Sequence, residues 1–267
     1  MFYFLRFLTV VLLLNIAVGR AQAQGDPQNV WVSALDFIFD MPGVNGASTP
    51  HQVLVAIAAY LHSGHGLTYD VNEGASHYID KNTGEFLLTD YIAKSRGNVV
   101  NCQDQAAALQ ILSAAVGVNS QFVFMGYRRI WDPVTKQITD NGKPPFGFIN
   151  TVVLVGEGLC NNPFYPDTTG GKITADPDET DPFVRSRLYN HAFVRHAGLI
   201  YDACAGPYLG TGNLQQYATA TIDISDPIER LYSPDAVKWG GNEDGVFSTA
   251  EVDNALDLSY QPIKGIK

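Results

Sequence analysis

The sequence predicts an α+β fold, on three observations. Apolar residues between positions 49 and 117 recur at helical spacing, whereas from 121 to 203 the pattern changes to short runs rich in Val, Ile, Phe and Tyr, separated by Gly, Pro and Asn clusters. Helices followed by antiparallel strands indicate α+β. The 267 residues are 46% hydrophobic and only 16% charged, which excludes a disordered chain. A formal charge of -10, from 17 basic and 27 acidic residues, repels phosphate backbones. Nucleic acid is therefore not an expected partner.

The first 23 residues read as an export signal. Arg6 supplies the basic region, Phe7 to Val18 form a short apolar stretch, and Ala21-Gln22-Ala23 matches the small-x-small cleavage pattern. Cleavage there puts the protein in a secreted or periplasmic compartment, with no membrane contact afterwards. Arg6 and Arg20 leave with the signal, so the mature chain is more acidic still.

The first helix begins at Thr49-Pro50-His51-Gln52, with Thr49 as N-cap, Pro50 at the first helical position and Gln52 closing a capping box. Val53, Ile57, Tyr60 and Leu61 mark its apolar face, and Gly64 and Gly66 end it before an extended piece at Leu67 to Tyr69. A second helical pattern covers Glu85 to Lys94 and stops at Arg96-Gly97. The strongest helix runs from Cys102 to Ala115 and closes near Gly117, with Leu109, Leu112 and Val116 on its core side. Strands follow at Gln121 to Arg129, Phe148 to Val155, Asn190 to Arg195 and Leu199 to Ala203. Between the middle two lies a long insertion with the acidic run Asp176-Pro177-Asp178-Glu179-Thr180-Asp181.

Cys102 is the sharpest chemical feature. A sulfur in the first turn of a helix meets the positive end of the dipole and unpaired N–H groups, which suits a nucleophile. It needs a base and an orienting acid from elsewhere. His191 and Asp202 lie on the two arms of a hairpin turning at Ala197-Gly198; with a two-residue turn Phe193 faces Asp202, and His191 shares that face. The diagonal of about 7–8 Å is within reach of an imidazole and a carboxylate. A three-residue loop would send them to opposite faces. His62 and His65 sit in a glycine loop with no adjacent Glu, which argues against a metal pair, and His51, His77 and His196 read as structural.

Cys102-Gln103-Asp104-Gln105-Ala106 opening a helix that ends in Ala115-Val116-Gly117-Val118, then a strand ending in Met125-Gly126-Tyr127, resembles the transglutaminase-like cysteine enzymes. The likeness continues in His191-Ala192-Phe193-Val194, in Tyr201-Asp202 and in Tyr69, and spans Pro50 to Tyr208. It implies a papain-like α+β core with the nucleophile helix packed on an antiparallel sheet. It also implies Cys102 as nucleophile, His191 as general base then acid, and Asp202 as the orienting residue. The chain departs from the pattern at Asn101 and Ala203, where an aromatic residue and proline are common. Asn98, Asn101 and the Cys102 N–H are candidate oxyanion donors.

On this reading residues 24–220 form the catalytic domain and 221–267 a C-terminal extension. The implied activity is attack on peptide or carboxamide bonds through a thioester, with a peptide or protein substrate and no required cofactor. Hydrolysis and transamidation are not separated by the triad itself. A catalytically inactive binding or scaffold protein on the same fold is the alternative. With Cys102 committed to chemistry, Cys160 and Cys204 are expected to pair in an oxidising compartment. In the extension, Gly240 to Glu251 resembles an EF-hand calcium loop with candidate ligands Asn242, Asp244 and Glu251, although Gly240 stands where the first carboxylate belongs. Ser248 and Glu251 alternatively form the capping box of a final helix.

Overall fold

The computed structural model describes residues 27–70, 74–126, 129–132, 135, 137–140, 147–149, 187–188, 190–204, 208–223, 256–257 and 260–267. The expected signal, Cys160, the acidic run and the calcium-loop residues Asn242, Asp244 and Glu251 lie outside them. In chain order the elements are α1 (Pro27–Phe39), α2 (Pro50–Ala59), β1 (Thr68–Tyr69), β2 (Glu85–Phe86), α3 (Leu88–Ala93), β3 (Val99–Val100) and α4 (Cys102–Ala115). Then come β4 (Gln121–Gly126), β5 (Arg129–Asp132), β6 (Gln137–Asp140), β7 (Gly147–Ile149), β8 (Arg187–Leu188), β9 (Asn190–His196) and β10 (Leu199–Asp202). β11 (Tyr208–Leu209), α5 (Leu214–Thr221), β12 (Ile222–Asp223) and β13 (Gly265–Ile266) complete the list. The α+β class is as expected.

The sheet that positions the site has the order β11-β10-β9-β4 and is antiparallel throughout. Helix α4 packs on β9 and β4, burying Leu109, Ile111 and Leu112 with Phe122, Phe124, Phe193 and Val194 in one core. The β9–β10 hairpin turns through Ala197 (φ 50°) and Gly198 (φ 81°), the paired positive angles of a type I′ turn. Leu199 pairs with His196 and Tyr201 with Val194, which is the register a two-residue turn dictates.

Helix α2 starts where expected, with the Thr49 hydroxyl accepting from Gln52 N at 3.2 Å. The capping box does not close as anticipated: the Gln52 amide oxygen takes the N–H of Ser48 at 2.8 Å, one residue before the cap. The helix then widens into a π turn at Tyr60–Gly64, where His65 N reaches back to Tyr60 O.

Two sequence expectations are corrected. Glu85 and Phe86 are not helical; they form β2, paired in parallel with Gly265–Ile266 at the end of the chain, and α3 starts only at Leu88. A partner that distant leaves no trace in local periodicity. The run Gln121 to Arg129 is not one strand, because β4 ends at Gly126, where φ is +105°. Part of the C-terminal extension returns to the core. Leu256 bridges Met125, Asp257 N donates to Phe124 O at 3.0 Å, and the Tyr260 ring meets Phe124 edge-on at 4.6 Å.

Candidate active site

The helix that carries Cys102 is anchored at its start. Strand β3 runs parallel to β1 and delivers Asn101 in extended conformation as the N-cap of α4. The Asn101 Oδ1 accepts from Gln103 N at 2.9 Å and Asp104 N at 3.0 Å, and Asp104 Oδ2 accepts in return from Asn101 N at 3.2 Å. Asp104 does more than close this box. Its carboxylate also takes the Ser76 hydroxyl at 2.6 Å, His77 N at 2.9 Å and Tyr78 N at 3.1 Å, tying the 74–78 loop to the helix start. Burial raises the Asp104 pKa, while its four donors favour the ionised form and oppose that rise. The third position of the Cys-x-Asp motif is thus a structural clamp that fixes the turn carrying Cys102.

The clamp also corrects one expectation about oxyanion stabilisation. The Asn101 side chain is committed at both ends, since its Nδ2 donates to Gly74 O at 3.0 Å. Asn98 is exposed. Of the three candidates, the Cys102 N–H is the one that belongs to the thiol-bearing residue itself. Beside it, the Gln103 side chain is held by the Tyr260 hydroxyl, which donates to Oε1 at 2.7 Å.

The hairpin brings His191 and Asp202 together as the register requires. His191 Nε2 donates to Asp202 Oδ2 at 2.6 Å, with both side chains buried. Cys102 also acts on the same imidazole and favours its charged form. Because Nε2 is committed to Asp202, any exchange with Cys102 would run through Nδ1, which is buried. Burial alone would depress the basicity of His191. The Asp202 charge and hydrogen bond, with Cys102 adding to them, overcome that and raise its pKa to about 10.

Asp202 has further support that the sequence reading missed. The Tyr217 hydroxyl donates to Oδ2 at 2.5 Å and the Cys204 N–H to Oδ1 at 2.7 Å. Burial would raise the carboxyl, but His191, Tyr217 and Cys204 together lower its pKa. Tyr217 sits on α5, a helix not expected from the sequence. Its signal was present in Asn213-x-x-Gln216: Asn213 Oδ1 accepts from Gln216 N at 3.0 Å and Gln216 Oε1 from Asn213 N at 2.9 Å, a reciprocal box. Leu214, Tyr217 and Ala218 then give the buried face.

The other histidines have structural partners. His62 Nδ1 contacts Ala203 O at 3.3 Å and His65 Nε2 contacts Tyr91 O at 3.0 Å, so each imidazole braces a backbone carbonyl. His51 meets the Tyr201 hydroxyl, His77 meets Asp70 and His196 meets Asn119 O. A thiol at a helix start, an imidazole beside it and a buried carboxylate on the other ring nitrogen can generate a nucleophilic sulfur and carry its proton. No protein-family model, curated protein or solved structure matches the chain.

Proposed function

We propose that the chain is an exported cysteine enzyme of the transglutaminase-like type, with a papain-like core, acting on peptide or carboxamide bonds through a thioester. The observation that carries the reading is the convergence of Cys102, His191 and Asp202 from a helix start and a β-hairpin. The 2.6 Å His191–Asp202 bond fixes the tautomer and orientation a proton carrier needs.

In the first half-reaction the Cys102 sulfur, its proton on His191 Nδ1, forms a C–S bond to the substrate carbonyl carbon. The resulting oxyanion lies near the Cys102 N–H at the positive end of α4. His191 passes the proton to the departing nitrogen, the C–N bond breaks and a thioester remains. In the second half, water or an amine attacks the thioester and His191 takes its proton. The C–S bond then breaks, and the sulfur leaves as thiolate. The triad serves both acceptors, so a peptidase or amidase and a transamidase share this description.

Alkylation of Cys102 by iodoacetamide at neutral pH, followed by turnover of a generic amide and peptide panel, tests the proposal. Wild type should label faster than a simple thiol and turn over at least one member, and Cys102→Ala should do neither. Fast labelling without turnover of any amide, ester or amine acceptor favours the inactive scaffold instead. A calcium ion at Asn242, Asp244 and Glu251 rests on the sequence motif alone. It requires millimolar calcium to raise the melting temperature and Glu251→Gln to remove that rise.

A further inference from the structure

We infer that Tyr217 is a positioning residue that sets how strongly Asp202 pulls on His191, and through it the upper pH limit of the reactive site. The inference rests on the cysteine-enzyme reading and concerns the regulation of that site. Two donors converge on one oxygen: His191 Nε2 at 2.6 Å and the Tyr217 hydroxyl at 2.5 Å both address Asp202 Oδ2. Each draws on the same negative charge, so the phenol and the imidazole compete for it. A hydroxyl placed here moderates the basicity that Asp202 confers on the imidazole.

The phenol is held for this task. Its ring packs against Phe193 at 4.8 Å and meets Tyr208 edge-on at 5.0 Å, and it is 1% exposed. Phe193 lies two residues from His191 on β9, and α5 starts from its own capping box, so the donor's position is fixed from both sides. Burial and the neighbouring Asp202 carboxylate raise the Tyr217 pKa well above its ordinary value, which keeps the hydroxyl protonated and donating. The groups that bear on the pair are Cys102 from α4, Cys204 and its N–H after β10, and His62 from the π turn, whose own pKa burial lowers despite the attraction of Asp202. Cys204 N takes the other oxygen, Oδ1, and His62 Nδ1 is directed to Ala203 O.

The test reads the imidazolium without any substrate. Iodoacetate is drawn to a thiolate–imidazolium pair, so its rate of reaction at Cys102, followed by mass analysis of the Cys102 peptide, falls when His191 loses its proton. Tyr217→Phe keeps the ring and removes the competing donor, so that alkaline limb should move up by roughly half a unit to one unit. Site-specific replacement of Tyr217 by 3-fluorotyrosine strengthens the donor and should move the limb down. This second variant decides the matter should Tyr217→Phe fail to fold. An alkaline limb that stays within about 0.2 unit in every folded variant, or moves in the opposite order, overturns the inference while leaving the triad intact. A wild-type profile with no such limb overturns the cysteine-enzyme reading and the role of Tyr217 together.

Discussion

Asp104→Ala should cost more stability than any change at Cys102, and the structure allows the size to be worked out. The carboxylate is fully buried and accepts from Ser76 Oγ, His77 N, Tyr78 N and Asn101 N. Alanine leaves three backbone N–H groups and one hydroxyl without that acceptor. Each buried donor so orphaned costs about 1–3 kcal/mol, reduced where water enters the vacated space. Four such donors at the low end of that range, partly relieved by water, give roughly 3–5 kcal/mol, and for a chain of this size each kcal/mol lowers the melting temperature by about 2–4 °C. Thermal unfolding by circular dichroism should therefore show a drop of roughly 6–20 °C. Asp104→Asn, which keeps one acceptor oxygen, should fall between, and Ser76→Ala, which removes one donor to Asp104 and the acceptor of Ile79 N, should cost about 1–2 kcal/mol. A melting temperature for Asp104→Ala within about 2 °C of wild type would show that the 74–78 loop is not held by this carboxylate.

If the proposed triad is the catalytic unit, Cys102→Ala, His191→Ala and Asp202→Ala should each lower acyl-transfer rates by several orders of magnitude, with double variants little worse than singles. Their stabilities should differ: Cys102→Ala stays near wild type, whereas Asp202→Ala strands the Tyr217 hydroxyl and the Cys204 N–H and should lose about 2 kcal/mol or more in urea titrations. The His191–Asp202 pair should make stability depend on pH from both sides. A lowered Asp202 contributes above the ordinary carboxylate range and loses its contribution as pH falls through its folded value. His191, raised to about 10, contributes fully below its ordinary 6.5 and loses that contribution as pH rises from there towards 10. The melting-temperature gap between wild type and His191→Ala should accordingly be widest near pH 5 to 6 and shrink by pH 10, and a gap that widens with pH would contradict the assignment. Ala197→Gly, at φ 50° in the hairpin turn, should stabilise the protein by about 0.5–1 kcal/mol in the same titrations, and a loss of stability would mean the turn is not type I′.

The amino-acid sequence by itself determined those parts of the site whose causes are local. Asn101 and Asp104 flank Cys102 at cap and third helical position, so the helix start is written within four residues, and α4 spans Cys102 to Ala115 as its composition dictates. Ala197-Gly198 between two β-branched and aromatic runs places the turn, and the structure selects its two-residue form. That turn fixes which residues share a face, and so the meeting of His191 with Asp202. Tertiary structure decided whatever depends on partners far along the chain. Glu85-Phe86 has helix-compatible spacing and became a strand because Gly265–Ile266 supplied hydrogen bonds from the other end of the sequence. Asp104 reads as an ordinary N-terminal acid until the 74–78 loop brings it three more donors. Tyr217 is one aromatic residue among many in composition, and only the packing of α5 against Phe193 aims its hydroxyl at Asp202. Short-range hydrogen bonds and backbone angles are properties of neighbouring residues, whereas the charge an imidazole feels depends on every group that packing gathers around its carboxylate.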